Sequence, residues 1–362
     1  MRVFELRHYQ RNHADMKFAV VVSCSNNWLP FAGATCLSAV RNGTSGCDFF
    51  IISDRDGDID LSRFAEKVSE VAGKSIAICE VDRTVLSAIR MGHHPQSKFY
   101  RLAIDSHIAS RYDRVLYLDS DILVLRSLVP LLNAELHEFP LGAVLSLAYV
   151  QAKLSAQPEI AEAGLCRDDY YFNSGVMLFD WKKTLDADLI GEVRRHLSEK
   201  TYPKLADQDA LNVVLAKRWY PLPLNFNSTK FTAGLIVSPT IRHFTGRSKP
   251  WLSCFHRNDA PHRETYRKAL NALGAEHLFE RGPSPAIRLM REKLQQAIKP
   301  VRYVFRALRT LLSPSGSEKD KLWKLGKKSA AIDFMTSHFT FGEDQLYRYR
   351  DDRDVSRLTI PE

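Results

Sequence analysis

The chain lacks any run approaching the ~20 apolar residues that a bilayer-spanning helix requires, so no transmembrane segment is expected. Residues 1–17, MRVFELRHYQRNHADMK, are charged and hold no apolar core, so no secretory signal peptide is expected in them. Together these absences point to a cytoplasmic protein. Cysteine is sparse. Cys24, Cys36, Cys47, Cys79, Cys166 and Cys254 form no CxxC pair, which argues against both a zinc site and a disulfide framework. Scattered thiols in apolar surroundings fit small buried hydrophobes in a reducing compartment. No internal repeat is present. Acidic residues are the minority charge: 42 Asp and Glu face 51 Lys and Arg, a net charge of +9. Such a balance suits anionic company, whether nucleic acid, phosphorylated ligands or an anionic membrane surface.

Strand and helix signals alternate from residue 18 onward. FAVVVSCS (Phe18–Ser25) is a continuous β-branched run, the pattern of a strand buried on both faces. A loop at Asn26–Pro30, a helix over Phe31–Val40 and a stop at Asn42-Gly43 follow. CDFFIISD is a second buried strand, Asp54–Asp60 a turn, Leu61–Ala72 a helix capped by Gly73, and SIAICEVD a third strand. A helix over Ser97–Ser110 leads into RVLYLDSD. LGAVLSLAYV and YYFNSGVMLFD, the latter ending at Asp180, read as strands. Helices are expected at Ala187–Lys200 and Gln208–Ala216, and TIRHFTG as a short late strand. This alternation predicts an α/β domain with a mostly parallel sheet.

One stretch is chemically conspicuous. RVLYLDSDILVLRSL places Asp119 and Asp121 inside an otherwise apolar run. Two carboxylates there are costly unless something compensates them. In extended backbone, residues i and i+2 face the same side. Both acids can therefore converge at the carboxyl end of a strand, where open α/β sheets place their ligands. A hard divalent cation with further oxygens from a diphosphate would answer them, although Asp also ends strands and caps turns unaided. Asn173-Ser174-Gly175 suits hydrogen bonds to a sugar and is equally a turn signature. Asp207 and Gln208 fall at a helix start, where Asp207 is also a natural N-cap. In RHFTGRSKPW, His243 can ligate a metal, while Gly246, Arg247 and Lys249 can wrap a diphosphate.

LYLDSDILV, YYFNSGVMLFD, DQDALN and HFTGRSKPW, in that order and spacing, resemble glycosyltransferase family 8 over roughly Phe18 to Phe255. That family includes bacterial lipopolysaccharide galactosyl- and glucosyltransferases and glycogenin. The resemblance implies a GT-A nucleotide-diphospho-sugar fold and a retaining, UDP-sugar-dependent hexosyltransferase. Asp119, Asp121 and His243 match its ligands for Mn²⁺, with Mg²⁺ as the alternative. Arg101, Gly246 and Lys249 match nucleotide and diphosphate contacts. Asn173, Ser174 and Gly175 match the donor-sugar wall, and Asp207 and Gln208 the residues nearest the anomeric carbon. Ser25 and Asn27 lie in the nucleobase segment, where Ser25 replaces the family's common Asp. Ser146 replaces an acceptor-binding Asp, and His93 and His94 fall where a relative has an acceptor- or phosphate-contacting His.

Beyond residue 255 the composition turns basic. Arg288, Arg291, Arg302, Arg306 and Arg309 accompany apolar residues at steps of three and four, a pattern suited to an anionic membrane surface. No nucleic-acid partner is expected, since no recognisable binding fold or aromatic platform goes with the charge. The organisation expected is an N-terminal extension (1–17), a GT-A domain (18–255), a basic amphipathic helical region (256–312), and a linker and tail (313–362). The partners expected are a UDP-sugar, a glycan or lipid-linked acceptor and the inner face of a membrane. Two other readings compete. An apolar strand followed by DxD also resembles the haloacid-dehalogenase nucleophile motif, which would leave HFTGRSKPW and DQDALN unexplained. The other is a catalytically inactive glycan-binding protein with the same fold.

Overall fold

The β-branched run at the start forms strand β1 (Phe18–Cys24), and its side chains alternate between two cores. Val20 and Val22 join one apolar cluster, while Ala19 and Val21 join the other. A strand covered on both faces can be apolar at every position, which is why this segment shows no polar alternation. The computed structural model describes residues 16–280 apart from 45, 147–169, 203–204, 231, 233–235, 237, 247, 254 and 256. It also describes the backbone of two short antiparallel strands, Phe339–Phe341 and Tyr347–Tyr349.

The other strands are β2 (Cys47–Ser53), β3 (Ile76–Glu80), β4 (Arg114–Asp119), β5 (Ile122–Val124), β6 (Leu141–Leu145), β7 (Phe172–Asp180), β8 (Trp219–Leu222) and β9 (Ile241–His243). Seven of them form one sheet in the order β3-β2-β1-β4-β7-β6-β8. β7 runs antiparallel to both of its neighbours, and every other pairing in the sheet is parallel. β5 and β9 form a separate antiparallel pair in which Ile122 lies opposite His243.

The helices are α1 (Leu29–Arg41), α2 (Leu61–Ala72), α3 (Val129–Leu132), α4 (Trp181–Asp186), α5 (Leu189–Glu199), α6 (Ala206–Val214) and α7 (Arg263–Ala272). Pro30 sits in the first turn of α1, so that helix starts two residues before the expected Phe31. Gly73 ends α2 with φ of 64°, the left-handed cap its position required. The helix expected over Ser97–Ser110 is a 3₁₀ segment, Gln96–Ser106. Its buried residues Phe99, Tyr100, Leu102 and Ala103 recur every three, which three-residue turns stack into rows. Asp207 is not the N-cap of α6: Leu205 takes that place and Asp207 lies inside the first turn.

Residues 257–280, expected to belong to the basic region, pack on the same core through Tyr266, Ala269, Leu270, Leu273 and Ala275. Tyr266 of α7 is fully buried and its hydroxyl donates to the Ile122 carbonyl at 3.1 Å. Arg288, Arg291, Arg302, Arg306 and Arg309 lie outside the described residues, as does Arg247. Cys24, Cys36 and Cys47 are free and buried, and burial pushes the Cys36 and Cys47 thiols up to about 12. Among the described residues no helix is long and apolar enough to cross a membrane.

Candidate active site

Asp119 is the last residue of β4, and Asp121 precedes β5. The β5–β9 pairing then carries His243 alongside them. The Phe244 N–H donates to the Asp121 carbonyl at 3.0 Å, fixing the register of the two segments beside the acids. One ligating atom from each of Asp119, Asp121 and His243 lies within 4.8 Å of the others. His243 Nε2 is 3.1 Å from Asp121 Oδ1 and 3.6 Å from Asp119 Oδ2.

The donor set suits a divalent cation. His243 Nδ1 is 2.9 Å from Asn227 Oδ1, and Asn227 Nδ2 donates to Asn173 Oδ1 at 2.8 Å. This network gives Nδ1 the proton and turns Nε2 toward the carboxylates, the tautomer a metal ligand needs. Three carboxylates, Asp119, Asp121 and Asp207, face two permanent cations, Arg101 and Lys249. Negative charge is therefore left over. Gly175 closes the floor. A Cβ built there would lie 2.2 Å from His243 Cε1 and 2.8 Å from Asp119 Oδ2, so only glycine lets β7 pass beneath the acids.

Lys249 pairs with Asp121 Oδ2 and donates to the Phe244 carbonyl at 2.6 Å. Its ammonium lies 5.8 Å and 5.9 Å from the rings of Trp28 and Trp251, within cation–π range. Burial would raise the Asp121 carboxyl, but Lys249 and His243 outweigh it and hold the group well below the usual carboxylate range. Gly246, in the same loop, has φ of +81°, a left-handed turn that glycine adopts without strain.

Arg101 spans the site. It donates to Asp119 Oδ1 at 2.9 Å and to Ser174 Oγ and the Ser174 carbonyl at 2.7 Å and 2.9 Å. Its Nε lies 2.9 Å from Asp207 Oδ2, a charge contact without hydrogen-bond alignment. Burial raises the Asp207 carboxyl against the pull of Arg101. Gln208 is held through both ends of its amide. Oε1 accepts from the Ser174 N–H at 3.0 Å and from Asn173 Nδ2 at 3.2 Å, and Nε2 donates to the Tyr171 hydroxyl at 3.1 Å.

The remaining expected positions lie around this group or away from it. Ser25 and exposed Asn27 flank buried Asn26, whose side chain ties down the turn at Ile59. Ser146 is buried, with its N–H on the Tyr171 carbonyl at 2.8 Å. His93 is exposed and packs at a tilt against His94, whose Nε2 is 3.0 Å from the Tyr202 carbonyl.

Two partners escaped the sequence reading. The Tyr117 hydroxyl donates to Asp119 Oδ1 at 3.0 Å. Its signal was available, because Tyr117 precedes Asp119 by two residues on one strand and shares its side. Asn227, on a short 3₁₀ turn, gave none: only the folded chain brings it to His243.

Comparison with known proteins agrees with this geometry. The chain is 26% identical over 273 residues to general stress protein A of Bacillus subtilis, covering 68% of this chain and 91% of that one. It is 27% identical over 244 residues to the lipopolysaccharide 1,2-glucosyltransferase of Escherichia coli K12, covering 62% and 70%. The fold matches that of the galactosyltransferase LgtC in complex with donor and acceptor sugar analogs. There the TM-score is 0.55 at 22% identity, over 74% of this chain and 98% of the other. The architecture is thus the GT-A fold. The profile of glycosyl transferase family 8 matches residues 19–254, the span that carries the carboxylates, the histidine and the lysine loop. By that match the protein is a glycosyltransferase and belongs to family 8.

Proposed function

We propose that the protein transfers a hexose, glucose or galactose, from a UDP-sugar to a glycan or lipid-linked acceptor, retaining the anomeric configuration. The observation that carries this reading is the meeting of Asp119, Asp121 and His243 within 4.8 Å, with Lys249 on the same Asp121. The three ligands would hold Mn²⁺, or Mg²⁺ in its place. Such an ion, when bound, neutralises charge on a departing diphosphate. Lys249 adds a fixed ammonium beside it, preorganised by Asp121 and the Phe244 carbonyl. Ser25 and Asn27 would face the nucleobase, Gly246 the diphosphate, and Asn173 and Ser174 the donor sugar. Gln208 would steady positive charge at the anomeric carbon rather than attack it, since its carbonyl oxygen already accepts three hydrogen bonds, from Asn173 Nδ2 and from the N–H and hydroxyl of Ser174. Ser146 and His93 would border the acceptor. Similarity to a lipopolysaccharide glucosyltransferase supports a role in cell-surface polysaccharide synthesis.

The test is UDP release from UDP-glucose and UDP-galactose. Release is expected with Mn²⁺, abolished by excess EDTA and restored by added Mn²⁺. Release that continues unchanged in EDTA would defeat the metal assignment, and release from neither donor would defeat the UDP-hexose assignment. The phosphohydrolase reading predicts phosphate from a phosphomonoester instead, through a phosphorylated Asp119.

The basic segment bearing Arg288, Arg291, Arg302, Arg306 and Arg309 would hold the enzyme at the inner face of a membrane, where lipid-linked acceptors lie. Full-length protein is expected to sediment with vesicles containing anionic lipid, and protein ending at residue 282 is not. Equal sedimentation of the two would remove the membrane role from this segment.

A further inference from the structure

Four successive residues of β7 and the segment before it are fastened to α6. Asn212 accepts from the Phe172 N–H at 2.7 Å, and its Nδ2 donates to the Phe172 and Gln208 carbonyls at 3.0 Å and 2.8 Å. Ser174 and Asn173 hold Gln208 Oε1. The fourth fastening is directional. The Tyr171 hydroxyl donates to Asp209 Oδ1 at 2.5 Å, and Asp209 Oδ2 accepts the Leu205 N–H at 3.0 Å. Tyr171, Gln208 and Asp209 are all buried.

We infer that Tyr171 and Asp209 are positioning residues that set which way the Gln208 amide faces. An ionised carboxylate can only accept, so with Asp209 ionised the Tyr171 proton is committed to it. The Tyr171 oxygen is then left as an acceptor, and Gln208 must meet it with Nε2. Oε1 is thereby turned toward the Ser174 N–H and Asn173 Nδ2. Without the carboxylate, the Tyr171 hydroxyl is able to donate to a flipped Gln208. That flip would set the Gln208 NH₂ against two other donors and present the wrong end of the amide to the Asn173–Ser174 wall. In the sequence these two residues stand 38 apart and Asp209 reads as an ordinary helix acid.

This inference rests on the role proposed for Gln208, and the test separates the two. Initial rates of UDP release are measured with Mn²⁺ and the active UDP-hexose for wild type, Tyr171→Phe, Gln208→Ala and the double variant. Tyr171→Phe is expected to lower kcat about tenfold to a hundredfold, the scale of a buried donor left unsatisfied. KM for the UDP-hexose and Mn²⁺ affinity by calorimetry are expected to stay within about twofold. In the Gln208→Ala background, Tyr171→Phe is expected to cost no more than about twofold further, because its effect passes through the amide. Equal losses in both backgrounds would overturn the positioning role and leave that of Gln208 intact. A Gln208→Ala enzyme as fast as wild type would overturn both. Should Tyr171→Phe fail to fold, the same cycle with Asp209→Asn decides by the same criteria. That change keeps the shape but sets an NH₂ against either Tyr171 or the Leu205 N–H.

Discussion

Replacing Asp121 with asparagine is expected to lower UDP release about a thousandfold, since a bound metal contributes several kcal/mol to stabilising developing charge. Asp121 is the point where the site's groups meet. One of its oxygens faces His243 Nε2 at 3.1 Å and the other takes the Lys249 ammonium. Asparagine keeps the shape and still accepts from Lys249, so the loop geometry survives while the charge and one ligand are lost. Asp119→Asn would be a less clean probe, because Asp119 also anchors Arg101 and the Tyr117 hydroxyl. Calorimetric titration with Mn²⁺ should show affinity falling with the rate, while the EDTA-treated variant keeps a cooperative thermal transition. A variant that binds Mn²⁺ and releases UDP as wild type does would show that the metal sits elsewhere.

The largest effect on stability is expected at Asp259, outside the span that the family profile matches. Arg242 and Asp259 form an ion pair with side chains only 2% exposed. Two guanidinium nitrogens donate to Asp259 Oδ1, at 3.2 Å and 2.5 Å, and a third donates to the Ser228 carbonyl at 2.8 Å. Asp259→Ala leaves that charge buried with no carboxylate, at a cost of about 3–5 kcal/mol. Urea unfolding followed by circular dichroism would measure it as a lower midpoint at unchanged slope. Replacing both partners, Arg242→Met with Asp259→Leu, is expected to recover most of the loss, because no charge remains to be desolvated. Arg242 precedes His243 on β9, so Asp259→Ala should also weaken Mn²⁺ binding. A loss below about 1 kcal/mol would mean that water reaches this pair and solvates the guanidinium.

Much of the architecture was legible because its signals are local. The strand Phe18–Cys24 announced itself by an unbroken β-branched run, and the end of α2 by a single glycine. Helix starts were displaced where competing caps looked equal. Asp207 resembled an N-cap, yet Arg101 lies 2.9 Å from its carboxylate and the helix begins at Ala206, two residues before the expected Gln208. The 3₁₀ form of Gln96–Ser106 was hidden because its apolar spacing suits either helix over so short a span.

The sequence by itself marked Asp119 and Asp121 as two acids at the end of an apolar strand; their convergence comes from a turn at Ser120–Asp121 between β4 and β5 rather than from the period of two expected of extended backbone. It also determined that Gly246 and Lys249 share the loop that follows His243. Tertiary structure alone decided the rest. Asp119, Asp121 and His243 converge because β5 pairs with β9 in one register, a contact across more than a hundred residues that no local pattern encodes. The glycine beneath them and the tyrosine behind Gln208 come from β7 and the residue before it, the asparagine that orients the histidine from a 3₁₀ turn, and the carboxylate behind Gln208 from α6. Their identities have meaning only through distances of about 3 Å, the range at which hydrogen-bond direction and steric exclusion act.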